Sequence, residues 1–263
     1  MTAYVALGIA ALLTSGITMY SGFGLGTVLM PVFALFFPLE TAIAATALVH
    51  GANNLFKLAL VGAKADRGLV LRFGIPAILA AFAGAAAMGY VSHFGEIARY
   101  SVGSREAVVT PLKLALAGLM VFFAVFELVP RLRTLRFDRR YLVLGGLLSG
   151  FFGGFSGHQG ALRSAFLVKV GVSTEAFVGT NAVIGFLVDA MRLSVYAWMF
   201  LAAGEGSPIA AGQWPLILAA ALSAFAGVVL GKRYLHAVTM GAVQTLPGVL
   251  LLAIAVALGS GFV

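Results

Sequence analysis

Cysteine is absent from the 263-residue chain, which removes disulfides, thiolate metal sites and a catalytic thiol. Charge is nearly as scarce. Asp, Glu, Lys and Arg make up 10% of the residues, against the roughly 25% of a soluble domain. Too few polar side chains exist to cover a soluble core of this length, so a secreted or cytosolic enzyme is excluded. Acids are rarest, 9 against 17 Lys and Arg, giving a net charge of +8. No basic tail or separate basic domain is present to track phosphates, so nucleic acid is not an expected partner. The first 20 residues lack a basic stretch and run straight into more apolar chain, so a cleaved signal peptide is not expected. No pattern calls for a metal or an organic cofactor.

What remains is apolar. Hydrophobic residues make up 61% of the chain and the mean hydropathy is +1.05. Several apolar segments approach the roughly 20 residues that cross a bilayer, which predicts an all-α polytopic membrane protein. Polar interruptions place the segments near 4–21, 25–38, 40–62, 70–92 and 110–129, then 141–156, 160–171, 174–203, 214–231 and 242–261. Between the two sets of five lies a linker at 130–140 containing Arg131, Arg133, Arg136, Arg139 and Arg140. The expected organisation is therefore an N-terminal repeat over 1–129, a basic cytoplasmic linker over 130–140, and a C-terminal repeat over 141–263.

A shift of 134 positions places Gly16 on Gly150, Gly26 on Gly160, Ala42 on Ala176, Thr46 on Thr180 and Gly51 on Gly185. After an insertion around 204–213, Ala81-Phe82-Ala83-Gly84 matches Ala224-Phe225-Ala226-Gly227. Glycine and alanine are common enough for any one match to be accidental; the shared order favours duplication. Charge gives the relative orientation. Lys64, Arg67 and Arg72 follow the third segment, whereas the corresponding loop 204–213 has no Lys or Arg. Lys232-Arg233 open the loop that corresponds to 93–110. The bias has swapped sides, so the positive-inside rule predicts two inverted-topology repeats. The 12 residues of 160–171 give roughly 18 Å of helix, short of a hydrocarbon core of about 30 Å. Each repeat is thus read as a short re-entrant or broken helix pair plus three transmembrane helices. Ten full spans is the alternative.

Two glycine-rich turns separate the short helices. The first reads Ser21-Gly22-Phe23-Gly24-Leu25-Gly26-Thr27; the second reads Gly153-Gly154-Phe155-Ser156-Gly157-His158-Gln159-Gly160, then Ala161-Leu162-Arg163-Ser164. A helix starting after such a turn presents unpaired N–H groups and the positive end of its dipole, which suits an anion. Close helix packing is the plainer explanation of the first turn. The second adds His158, Gln159 and Arg163 to one apolar neighbourhood, where an arginine is costly without a partner. A further polar set follows each turn. His50, Asn53, Asn54 and Lys57 share one helical face, and Asp189 and Arg192 repeat the spacing of Asn54 and Lys57. Asp189–Arg192 reads equally as a self-neutralising structural pair or a coupling pair, and Lys57 as a snorkelling cation or a substrate contact.

Gly154-Phe155-Ser156-Gly157 also fits the loose GxSG pattern of an intramembrane serine hydrolase, with His50 or His236 as base. An inverted duplication and a second, serine-poor turn are unexplained by that chemistry. An anion channel is the other alternative.

Gly22-Phe23-Gly24-Leu25-Gly26 with Pro31, Pro38 and Thr46 resembles the first half of the TauE/SafE sulfite and organosulfonate exporter family. Gly153 through Arg163, followed by Thr180, resembles its second half, and the likeness spans essentially the whole chain. His158 and Gln159 stand where the family's second motif is richer in glycine. The resemblance implies a multi-pass permease in a bacterial cytoplasmic membrane for sulfite, sulfoacetate or related sulfonates. Such an anion offers three acceptor oxygens, and N–H groups, amides and a cation are the donors it needs. The expected substrate contacts are Gly24, Gly26, Asn53, Asn54, Lys57, Ser156, Gly157, His158, Gln159, Gly160 and Arg163. Asp189 and Arg192 form the ion pair, and protons are the candidate coupling ion.

Overall fold

The computed structural model describes residues 1–21, 24–167, 170–202, 209–234 and 240–262. Gly22 and Phe23 of the first turn, and His236, lie outside these. The described chain is helical except for one β-hairpin, in the order α1 (Thr2–Ser21), α2 (Leu25–Ala34), α3 (Leu39–Val61), α4 (Arg67–Ser92), β1 (Ala98–Val102), β2 (Arg105–Val109), α5 (Pro111–Leu128), α6 (Leu142–Ser156), α7 (Gly160–Leu167), α8 (Thr174–Ala202), α9 (Trp214–Tyr234) and α10 (Met240–Gly259). Among the described residues, five helices carry apolar stretches long enough to cross a membrane: α1, α4, α5, α8 and the Ala211–Arg233 stretch containing α9.

The helix ends follow local chemistry. Pro38 precedes α3, and Thr110 caps α5 by accepting from the Lys113 N–H at 3.2 Å, with Pro111 at the first helical position. Asp66 caps α4 by accepting from the Leu69 N–H at 2.9 Å, and a π-turn over Val70–Gly74 follows. At 10 and 8 residues, α2 and α7 reach about 15 Å and 12 Å. α8, with 29 residues, reaches about 43 Å.

Two tight helix pairs brace the bundle. Along α6, Gly146, Gly150 and Gly154 sit on the carbonyls of Phe73, Ala77 and Ala81 of α4, and an added Cβ would lie 2.0–2.3 Å from those oxygens. Along α9, Gly227 and Gly231 sit in the same way on the carbonyls of Leu12 and Gly16 of α1, at 2.2 and 2.6 Å. Only glycine permits such an approach of two helix backbones, the usual device of membrane bundles. The outward faces remain apolar, as with Leu79 and Leu222, each 65% exposed, and Val256, 71% exposed. A face of this kind is suited to lipid rather than water.

The hairpin, unforeseen from sequence, pairs Ala98 with Val109 through Val102 with Arg105 and turns at Gly103, whose φ is +63°. It is tied to the end of α10, where Val108 N–H donates to the Gly261 carbonyl at 3.0 Å.

Candidate functional site

The polar centre forms where α3 crosses α8. A Cβ on Gly51 of α3 would lie 3.3 Å from Asp189 Cβ, and one on Gly185 of α8 would lie 2.7 Å from Asn54 Nδ2. Each helix therefore lends a glycine to make room for the other's polar side chain. Asp189, fully buried, accepts at one oxygen from Arg192 Nε at 3.0 Å and Gln159 Nε2 at 3.2 Å. Arg192 Nη2 lies 2.8 Å from that same oxygen. Its second oxygen accepts from Asn54 Nδ2 at 3.2 Å and lies 2.5 Å from His50 Nδ1. A carboxylate in this setting is tolerable because charge and hydrogen bonds surround it.

Arg163 of α7 reaches the same centre from the second turn. Its Nε donates to Asn181 Oδ1 at 2.6 Å and its Nη1 to Gln159 Oε1 at 2.8 Å. Lys57, one turn beyond Asn54 on α3, is 5% exposed and donates to Thr18 Oγ1 of α1 at 3.1 Å. Among the described residues no carboxylate lies within 4.0 Å of it. Lys57 and Arg163 face one small cavity, lined by Thr18, His50, Asn54, Lys57, Arg163, Val178, Asn181 and Ala182. Three buried cations, Lys57, Arg163 and Arg192, thus share the centre with the carboxylate of Asp189. Glu127, another buried acid, lies elsewhere, on α5 against Gly248.

Of the residues expected to bind, Asn54, Lys57 and Arg163 line the cavity. Gln159 stands behind it, joining Arg163 to Asp189. Asn53 points toward α1 and accepts from Ser15 Oγ at 2.9 Å. Ser156 donates back into its own helix, to the Phe152 carbonyl at 3.0 Å, and His158 stacks on Phe123 with centroids 5.2 Å apart. The glycine turns meet each other: a Cβ on Gly26 would lie 3.0 Å from the Gly157 carbonyl oxygen. Gly157, at φ +82°, leaves room for Arg192 Nη1, which an added Cβ would approach to 2.8 Å. Gly24, with φ +121°, precedes α2, and Gly160 opens α7; neither glycine is among the lining residues. Thr18 and Asn181 were not among the expected contacts. A threonine in an apolar helix reads as bonded to its own backbone, and only the fold brings it to Lys57.

The model of the family described as "Sulfite exporter TauE/SafE" matches residues 6–258. The chain belongs to the TauE/SafE family. A search of curated proteins finds no match. As a TauE/SafE protein it is a multi-pass integral membrane transporter and not an enzyme. Of the two bases named for the hydrolase alternative, His50 pairs with Asp189 while Ser156 donates to the Phe152 carbonyl, and His236 lies outside the described residues.

Proposed function

We propose that this TauE/SafE protein carries small anionic sulfur compounds, sulfite or organosulfonates such as sulfoacetate, by alternating access around the α3–α8 crossing. One observation carries the reading: Lys57 and Arg163, from opposite halves of the chain, line one buried cavity whose neighbouring carboxylate is already engaged by Arg192. Buried cations in excess of acids call for an anion. Thr18, Asn54 and Asn181 add the hydroxyl and amides that an oxyanion's remaining lone pairs need. Arg163, oriented by Asn181 and Gln159, and Lys57 supply the positive charge for the anion.

The packing supports an inverted duplication as the frame for this movement. α1 lies on α9 and α6 lies on α4, each pair closed by glycines; the 134-residue shift carries α1 onto α6 and, after the insertion around 204–213, a shift of 143 carries α4 onto α9. Gly51 beneath Asp189 and Gly185 beneath Asn54 repeat the relation at the centre. In this reading the short helices α2 and α7 are re-entrant, residues 130–140 are cytoplasmic, and rocking of one half against the other alternates access. Protons are the coupling ion.

The test is efflux from proteoliposomes loaded with sulfite. Saturable efflux that is lost in Arg163→Ala, with the variant's helicity and melting transition retained, is expected. Full transport by Arg163→Ala would overturn the site assignment.

A further inference from the structure

Among the described residues, His50 is the titratable side chain that belongs to both parts of the centre. Its ring lines the cavity with Lys57 and Arg163, and its Nδ1 lies 2.5 Å from Asp189 Oδ2. Facing a carboxylate, Nδ1 carries a proton and donates it. That leaves the lone pair on Nε2, to which no described residue hydrogen-bonds.

The charges around His50 come from three elements. α3 supplies Lys57, α7 supplies Arg163, and α8 supplies Asp189 and Arg192. α1 presents the neutral Thr18, and α2 approaches with Gly26. α9 also packs on α3, but its Lys232 and Arg233 are exposed near its end. With His50 neutral, the centre holds two more positive charges than negative ones. A further proton on the empty site is opposed by Lys57 and Arg163; an anion between them removes that opposition and favours the imidazolium.

We propose that His50 takes up one proton on Nε2 when an oxyanion occupies the cavity, so that anion and proton are held, and carried, together. This rests on the proposed anion site and adds to it a named proton acceptor and a coupled stoichiometry. The proton comes from hydronium in the adjoining water: one O–H bond breaks, one N–H bond forms on Nε2, and a water molecule is left behind. Because His50 and Asp189 stand on the two crossing helices, the imidazolium formed strengthens the contact between α3 and α8 only while the anion is bound. Asp189 keeps its charge throughout, held by Arg192 and Gln159.

The chain has four histidines, so its imidazole spectrum can be resolved. Nitrogen NMR of histidine-labelled protein would be followed at fixed neutral pH while sulfite is added, in the wild type and in His50→Gln. One resonance should move from the neutral imidazole position to the imidazolium position on saturation, and that resonance should be missing from His50→Gln. If His50→Gln does not fold, a protein carrying His93→Gln, His158→Gln and His236→Gln reports His50 alone. A His50 signal that stays neutral while sulfite raises the melting temperature overturns the inference and leaves the anion site standing. An imidazolium already present before sulfite also overturns it. Failure of sulfite to stabilise the wild type overturns the site and the inference together.

Discussion

The two helices that cross at the centre carry similar polar pairs and use them differently. On α8, Asp189 and Arg192 close on each other at 2.8 Å and, fully buried, form part of the framework. On α3, Asn54 and Lys57 have the same spacing of three residues, but the acid is replaced by an amide. Asn54 turns to Asp189, and Lys57 is left on a threonine hydroxyl. A pair that neutralises itself needs no ligand. A buried cation that meets only a hydroxyl retains capacity for one, which is why the binding capacity is assigned to the α3 side of the crossing and to Arg163.

Substitutions should separate framework from site. The largest effect is expected at the helix contacts: Gly150→Leu or Gly154→Leu drives a side chain into a carbonyl 2.0 or 2.1 Å from its Cβ. Little folded protein should be recovered by size exclusion, whereas Gly118→Leu, with no neighbour within 4 Å, should behave as wild type. Next comes Asp189→Ala. Removing one partner of a buried pair costs about 3–5 kcal/mol, so a large fall in melting temperature should appear with or without ligand. Lys57→Gln should leave the unliganded melting temperature near wild type and weaken sulfite binding tenfold or more. That is the scale of one charge-assisted hydrogen bond, about 1.5–3 kcal/mol. The comparison fails if Asp189→Ala is harmless and Lys57→Gln unfolds the protein.

The smallest effect is expected in the hairpin. Arg99 hydrogen-bonds to Glu96 there and holds its carboxyl below the usual range. Such a carboxylate stabilises the fold above its unfolded titration range, and the contribution is lost as pH falls through the folded value. The pair is exposed and screened, so Arg99→Ala should not measurably shift the melting temperature at neutral pH.

Much of the helical order was legible because the ends are marked locally. The expected segments 40–62, 110–129 and 174–203 agree with α3, α5 and α8 to within a residue at each end. Pro38, Thr110-Pro111 and Thr174 are stop or start signals independent of tertiary context. The hairpin was missed although Gly103-Ser104, between two short β-prone runs, is a two-residue turn signal. Charge was the stronger cue there, and it led to a loop. Of the residues lining the cavity, Asn54, Lys57 and Arg163 were singled out from the sequence because polar residues in apolar helices stand out. The link of His50 to Asp189 was not legible: it spans 139 residues and depends on how two helices cross. Ser156 and His158 stood out for the same reason as Arg163, but their turn directs them to Phe152 and Phe123 instead of the cavity.

The central claim is that Lys57 and Arg163 bind one sulfur oxyanion between them. Melting temperatures of purified wild type, Lys57→Gln and Arg163→Ala in sulfite, thiosulfate, sulfate, taurine, sulfoacetate and acetate, at matched ionic strength, test it most directly. A ligand that binds only the folded state raises the transition with its concentration over Kd. The account predicts selective stabilisation of the wild type by a sulfur oxyanion, lost in both variants. Stabilisation of equal size in all three proteins, or none in the wild type, would contradict it.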